Sequence, residues 1–171
     1  MATVASDAGR PAVKPITPDT YERVLSAGAL VLLLAVLVAL FKGRAEWGQI
    51  PPIIWPHLLT IIVAVALTPV MLLRPRGTRS HRRLGWLWVA AMFLTALLSL
   101  FVRNANHGGF SFIHILSVWT LIQVPILAWS ARTHNVKRHR GAVRGMVTGA
   151  LLIAGFFTFP FDRLLGHWLF G

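Results

Sequence analysis

Between Arg23 and Lys42 the chain reads VLSAGALVLLLAVLVALF, residues 24–41, without a single charge. A stretch like this has one ordinary solution, a helix that satisfies its own backbone hydrogen bonds while its side chains meet lipid. Comparable stretches follow at 52–73, 84–102, 110–130 and 145–161. Each is close to the roughly 20 residues that cross a hydrocarbon core about 30 Å thick. The expectation is an all-α membrane protein with five transmembrane helices, in which short loops make helices 2–5 an antiparallel four-helix bundle. Composition agrees, at 56% hydrophobic and 13% charged residues, with a mean hydropathy of +0.66, outside the profile of a soluble domain.

The first 20 residues, MATVASDAGRPAVKPITPDT, are polar and broken by proline, with no short apolar core and no small-residue cleavage site. They read as a disordered cytoplasmic tail, residues 1–20, ahead of a single five-helix domain over 21–171, with Thr17 or Asp19 placed to cap the first helix. Lysine and arginine are unevenly spread. The tail with the start of the first helix, the second loop and the fourth loop hold 13 of them, against 4 elsewhere. That asymmetry puts the N-terminus in the cytoplasm and the C-terminus outside, in a bacterial inner membrane. The net charge of +12 is carried by short loops between apolar runs, where it sets topology and meets anionic lipid, so the lipid bilayer and not nucleic acid is the expected partner.

Several residues refine the helices. Pro51, Pro52 and Pro56 crowd the start of the second, where missing N–H donors matter least, while Pro69 and Pro125 fall inside spans. Gly141, Gly145 and Gly149 recur every four residues and are expected to give a small-residue face for a neighbouring helix. Polar side chains within the spans, Thr60, Thr68, Thr95, Ser99, Ser117, Thr120, Gln123 and Thr148, are expected to link helices. Trp47, Trp55, Trp86, Trp129 and Trp168 lie near span ends as an interfacial belt would.

With no cysteine there is no thiolate site, and seven histidines are the main ligand supply. His57 and His114 lie near the outer ends of the second and fourth spans, His81 and His139 at the inner starts of the third and fifth, on helices expected to begin a turn before the hydrocarbon does. This strict alternation lets two helices offer an imidazole pair near the outer surface and two others a pair near the inner surface. Each pair is a set of axial ligands for one haem iron, giving two haem b groups roughly 20–25 Å apart along the membrane normal. Arg82, Arg83, Arg138 and Arg140 stand at the inner level as partners for propionates, and Arg103 or Lys42 at the outer. Gly85, one turn from His81 on the same face, leaves room for a porphyrin edge, and Trp88 and Met92 continue that face. His107 and His134 read as loop residues, His167 as an interfacial one, and Asp162 with Arg163 as a local ion pair.

The stretch GGFSFIHILSVWTLIQVPILAWSARTHNVKRHRGAV, with LLIAGFFTF and DRLLGHWLFG after it and LLRPRGTRSHRRLGWLWV before it, resembles the bacterial membrane-protein family that carries the domain of unknown function 2306. Gly141, Ala142 and Val143 depart from that pattern, which has a bulkier segment after the histidine. The resemblance implies a membrane topology and no activity. In architecture the four histidines are similar to those of the transmembrane cytochromes b-561, which implies electron transfer through two haems.

The sequence therefore supports an integral membrane b-type cytochrome-like protein carrying electrons across the membrane, with a quinol or other donor and acceptor, or membrane-complex subunits, as partners. It names no catalytic residue, and a haem-dependent transmembrane oxidoreductase, or a subunit of one, is the enzyme class it allows. Two haem-free readings stand beside it: a proton or metal-ion transporter, and a scaffold or assembly partner. The spans lack the mid-membrane carboxylates that a proton path normally uses.

Overall fold

The computed structural model describes residues 17–102, 112–160 and 163–171, and these are helical with no strand among them. His107, Arg103, Asp162 and residues 1–16 of the expected tail lie outside the described residues. Helix α1, Thr20–Lys42, begins at a capping box. The Asp19 side chain accepts from the Glu22 amide at 3.0 Å and the Glu22 carboxylate accepts from the Asp19 amide at 3.2 Å, so Asp19 is the cap. A 3-10 segment, Gly43–Gln49, leads to α2, Ile54–Leu73, which runs on through Pro69. Then come α3, Arg79–Ser99, and α4, Phe112–Arg132. The last long helix starts as α5, Val136–Met146, widens into a π-helical segment, Val147–Ile153, and returns to α-helix as α6, Ala154–Phe156. A short α7, Leu164–Phe170, follows.

Among the described residues three helical stretches are long and apolar enough to cross a membrane: Thr20–Gln49, Ile54–Leu73 and Ile113–Arg132. Helices α3 and α5 open instead on RSHRRLG and VKRHRGAVRG, whose basic first turns dilute their hydropathy. Those helices also begin earlier than the apolar pattern alone suggests, α5 by two turns and more. Polar N-caps, and not apolar runs, set their starts.

Neighbours in sequence are neighbours in space. Helix α1 packs on α2, α2 on α3, α3 on α4 and α4 on α5, while the π segment returns against α1 and closes the ring. The main buried core joins Leu25 and Ala29 of α1, Val65 and Leu72 of α2, Trp88 and Met92 of α3, Leu127 of α4, and Met146 and Leu151 of the last long helix. Polar side chains stitch the seams as expected. Thr95 donates to Thr60 at 2.9 Å, Trp88 Nε1 to Thr68 Oγ1 at 3.0 Å, and the Ser99 and Ser117 hydroxyls meet at 2.7 Å.

Two expectations fail on packing, the first in part. Of the three spaced glycines only Gly149 faces a neighbouring helix, with an added Cβ 3.6 Å from the Trp119 ring of α4; at Gly141 or Gly145 an added Cβ meets no described atom within 4 Å. The tight glycines are elsewhere: Gly155 sits under Leu32 of α1, and Gly43 and Gly166 lie against the Trp168 ring and the Phe159 carbonyl. Trp168 is not interfacial. It is 4% exposed, wedged on Gly43, with its indole N–H donating to Glu46 at 3.0 Å, because α7 folds back onto α1.

Candidate functional site

Two turns place two histidines at one end of the bundle. Between α2 and α3 the chain reads Arg74-Pro75-Arg76-Gly77-Thr78. Gly77, at φ 82°, takes the left-handed conformation that glycine adopts without strain, and Thr78 Oγ1 then accepts from the His81 amide at 3.1 Å. Between α4 and α5 the amides of His134 and Asn135 close back on the Ala131 and Ser130 carbonyls at 3.3 and 3.0 Å, with His134 at φ 55°. This is a Schellman ending with histidine where glycine is usual. Asn135 caps α5 through the Arg138 amide at 3.1 Å, and His139 follows in the same turn.

His81 and His139 line one cavity of about 340 Å³, within the range of small-molecule and cofactor sites. Its walls are apolar, from Met71, Leu72, Trp86, Trp88, Leu127 and Val147; its rim carries Arg76, Arg82, Arg132 and Arg140. The His139 Nδ1 lies 3.4 Å from the Leu127 carbonyl, which can only accept, so Nδ1 bears the proton and Nε2 keeps its lone pair. The His81 Nδ1 is buried with no hydrogen-bond partner. Burial pushes the His81 imidazole below its ordinary pKa, and the charges of His139 and Arg76 push the same way. Burial and Arg76 lower His139 as well, against the Leu127 bond, which raises it. Both imidazoles are thus kept neutral, the form that binds metal.

The basic rim is organised by one acid. Glu22, 1% exposed, receives Arg76 Nη2 at 2.6 Å, Arg140 Nε at 2.7 Å and Arg144 Nη2 at 3.2 Å; Arg140 also reaches Asp19 at 3.2 Å, and Arg144 pairs with Asp19. Arg76 Nη1 is buried with no hydrogen-bond partner, and the Arg132 guanidinium stacks 5.1 Å over the Trp86 ring.

Of the expected inner-site residues, His81, His139, Arg82, Arg140 and Gly85 border this cavity. Arg83 and Arg138 are exposed and are not among its lining residues. Arg140 is committed to Glu22. Gly85 spares the fold no clash, since an added Cβ meets only the Met71 methyl at 3.4 Å; what it leaves free is cavity space. Glu22, Arg76 and Arg132 are residues that the sequence pattern did not single out. The Asp19-x-x-Glu22 spacing of a capping box could have marked Glu22 as a helix-start acid, but no local signal tells that arginines from two distant segments bury it.

At the other level, His57 borders a smaller cavity of about 90 Å³ with Met92, Thr95, Ser117 and Ala150. Its Nδ1 lies 3.1 Å from the Thr95 carbonyl, which again leaves Nε2 its lone pair. His114 is buried, at 5% exposure, but is not among the residues that line this cavity. The Lys42 amine, expected near outer propionates, donates to the Leu169 carbonyl. The two cavities lie in one seam, parted by little more than the turn from Trp88 to Met92, roughly 6 Å of helix rise. Among the described residues no group of three or more His, Asp or Glu side chains could hold a bare metal ion. No family model, curated protein or solved structure matches this chain.

Proposed function

We propose that the chain is an integral membrane b-type cytochrome-like protein with a bis-histidine haem b between His81 and His139. In this reading five helices cross a bacterial inner membrane with the N-terminus in the cytoplasm. Those starting at Ile54, Arg79, Phe112 and Val136 form an antiparallel bundle around the cofactor. The similarity to the domain of unknown function 2306 family and the architectural likeness to cytochromes b-561 belong to the same proposal.

The observation that carries it is the shared cavity. Two neutral imidazoles from different helices meet in a space with apolar walls and a cationic rim, which matches a flat apolar macrocycle with acidic edges. A haem held there supplies a reversible one-electron couple. The chain's own residues do the rest. The Leu127 carbonyl orients His139, Thr78 and Asn135 fix the turns that present both rings, Trp86 and Trp88 wall off water, and the arginines balance the ligand's acids. The outer pair, His57 and His114, is proposed for a second haem b on the alternation of the histidines. There the geometry lends less support, because the cavity is small and only His57 borders it. Electrons would pass between a quinol or other donor on one side and an acceptor on the other.

The test is optical. Protein purified in mild detergent from haem-replete cells is expected to show a Soret band with sharp α and β bands in reduced-minus-oxidised difference spectra. His81→Ala or His139→Ala should remove the bis-histidine signal of the inner site, and His57→Ala or His114→Ala any signal of the outer. A colourless preparation, or bands indifferent to His81 and His139, sinks the reading.

A further inference from the structure

The cationic rim is not uniform. Three guanidiniums, those of Arg76, Arg140 and Arg144, share the two carboxylates of Glu22 and Asp19, so the cluster keeps one positive charge in excess. Arg140 spends Nε and Nη2 on Glu22 and also reaches Asp19. Arg132 is stacked on Trp86, and Arg82 is exposed. Arg76 differs from all of them: its Nη2 is anchored on Glu22, and its Nη1 is buried with nothing to donate to. A buried guanidinium N–H without an acceptor carries a desolvation penalty that an anion in the adjoining cavity relieves.

We propose that Arg76 is the carboxylate anchor of the cavity: Glu22 holds its guanidinium in place, and the free Nη1 takes an acid group of the planar dicarboxylate ligand. This rests on the haem reading for the ligand's class. It departs from the expectation that Arg82, Arg83, Arg138 and Arg140 meet the propionates. Glu22 also borders the cavity, but its carboxylate is spent on three arginines, and its part is to position Arg76.

The experiment separates the anchor from the iron. Metal-free protoporphyrin and its dimethyl ester share one apolar macrocycle, differ in their free acids, and make no bond from iron to histidine. Titrated by fluorescence against the full chain in detergent, the diacid is expected to bind wild type about tenfold more tightly than the ester or better, the value of a hydrogen bond to a charged group. Arg76→Gln should bring that ratio to about one while leaving the ester's affinity unchanged, and Arg76→Lys should restore part of the preference. A wild-type ratio near one overturns the proposal even if no variant folds, and so does a ratio that survives Arg76→Gln. A diacid preference in a protein without a bis-histidine haem spectrum would keep the anchor and discard the haem. The spectrum without the preference would do the reverse.

Discussion

His81 and His139 lie where a basic loop meets a buried cavity, and burial together with neighbouring positive charge holds both below the ordinary histidine value of 6.5. The unfolded chain therefore takes up protons near pH 6.5 that the folded chain refuses until lower pH. Stability is independent of these two groups above that value and falls as pH drops through it. Thermal unfolding in detergent should show this decline between about pH 7 and 5.5, and His81→Asn with His139→Asn should flatten it. An unchanged slope would remove these imidazoles from the account. Nearby, His134 holds a left-handed conformation while its side chain is exposed. His134→Gly should stabilise the protein by about 1 kcal/mol, read as a rise in Tm. Four histidines stood out in the sequence because imidazole inside or beside an apolar span is rare, and the structure brings His81 and His139 to one cavity but does not put His114 on the one that His57 borders. The exposure of His134 was legible too, but its backbone strain was not, since αL residues carry no pattern of their own.

At the level of helices, an early start was expected for the third and fifth: α3 begins about a turn ahead of its apolar run, and α5 two turns and more. An apolar run marks where lipid or core is met, whereas Thr78 and Asn135 mark where the backbone first turns, and these lie well upstream of the apolar residues. Both caps position a histidine that lines the cavity, so Asn135→Ala should cost about 1 kcal/mol and, on the proposed function, also shift the absorption of the haem. Glycine spacing held at Gly149 and failed at Gly141 and Gly145 for a related reason: a four-residue period says that a face is small, not how far along it another helix lies. Gly145→Ala is accordingly expected to be neutral or to add up to about 1 kcal/mol, as alanine does inside a helix. Gly43→Ala drives a methyl into the Trp168 ring and should destabilise by about 1–3 kcal/mol. Equal Tm values for the two variants would contradict the packing described.

Across the whole molecule, the helical architecture was legible because apolar length and charge asymmetry act over tens of residues. The union of Glu22 with Arg76, Arg140 and Arg144 was not, because it joins the first helix to a turn past the second and to a helix more than a hundred residues on. Glu22→Gln leaves three guanidiniums short of their shared partner and should cost about 3–5 kcal/mol, measured by unfolding in detergent. A loss under about 1 kcal/mol would mean that water already neutralises the cluster. The same separation bears on how the chain is made. Glu22 leaves the ribosome 118 residues before Arg140, so through most of synthesis it has no guanidinium from the last long helix to neutralise it. Until then Arg76 is its earliest partner, so the cluster closes in two steps, and the cavity that Arg76 and Arg140 both border is completed only when the last long helix has been made.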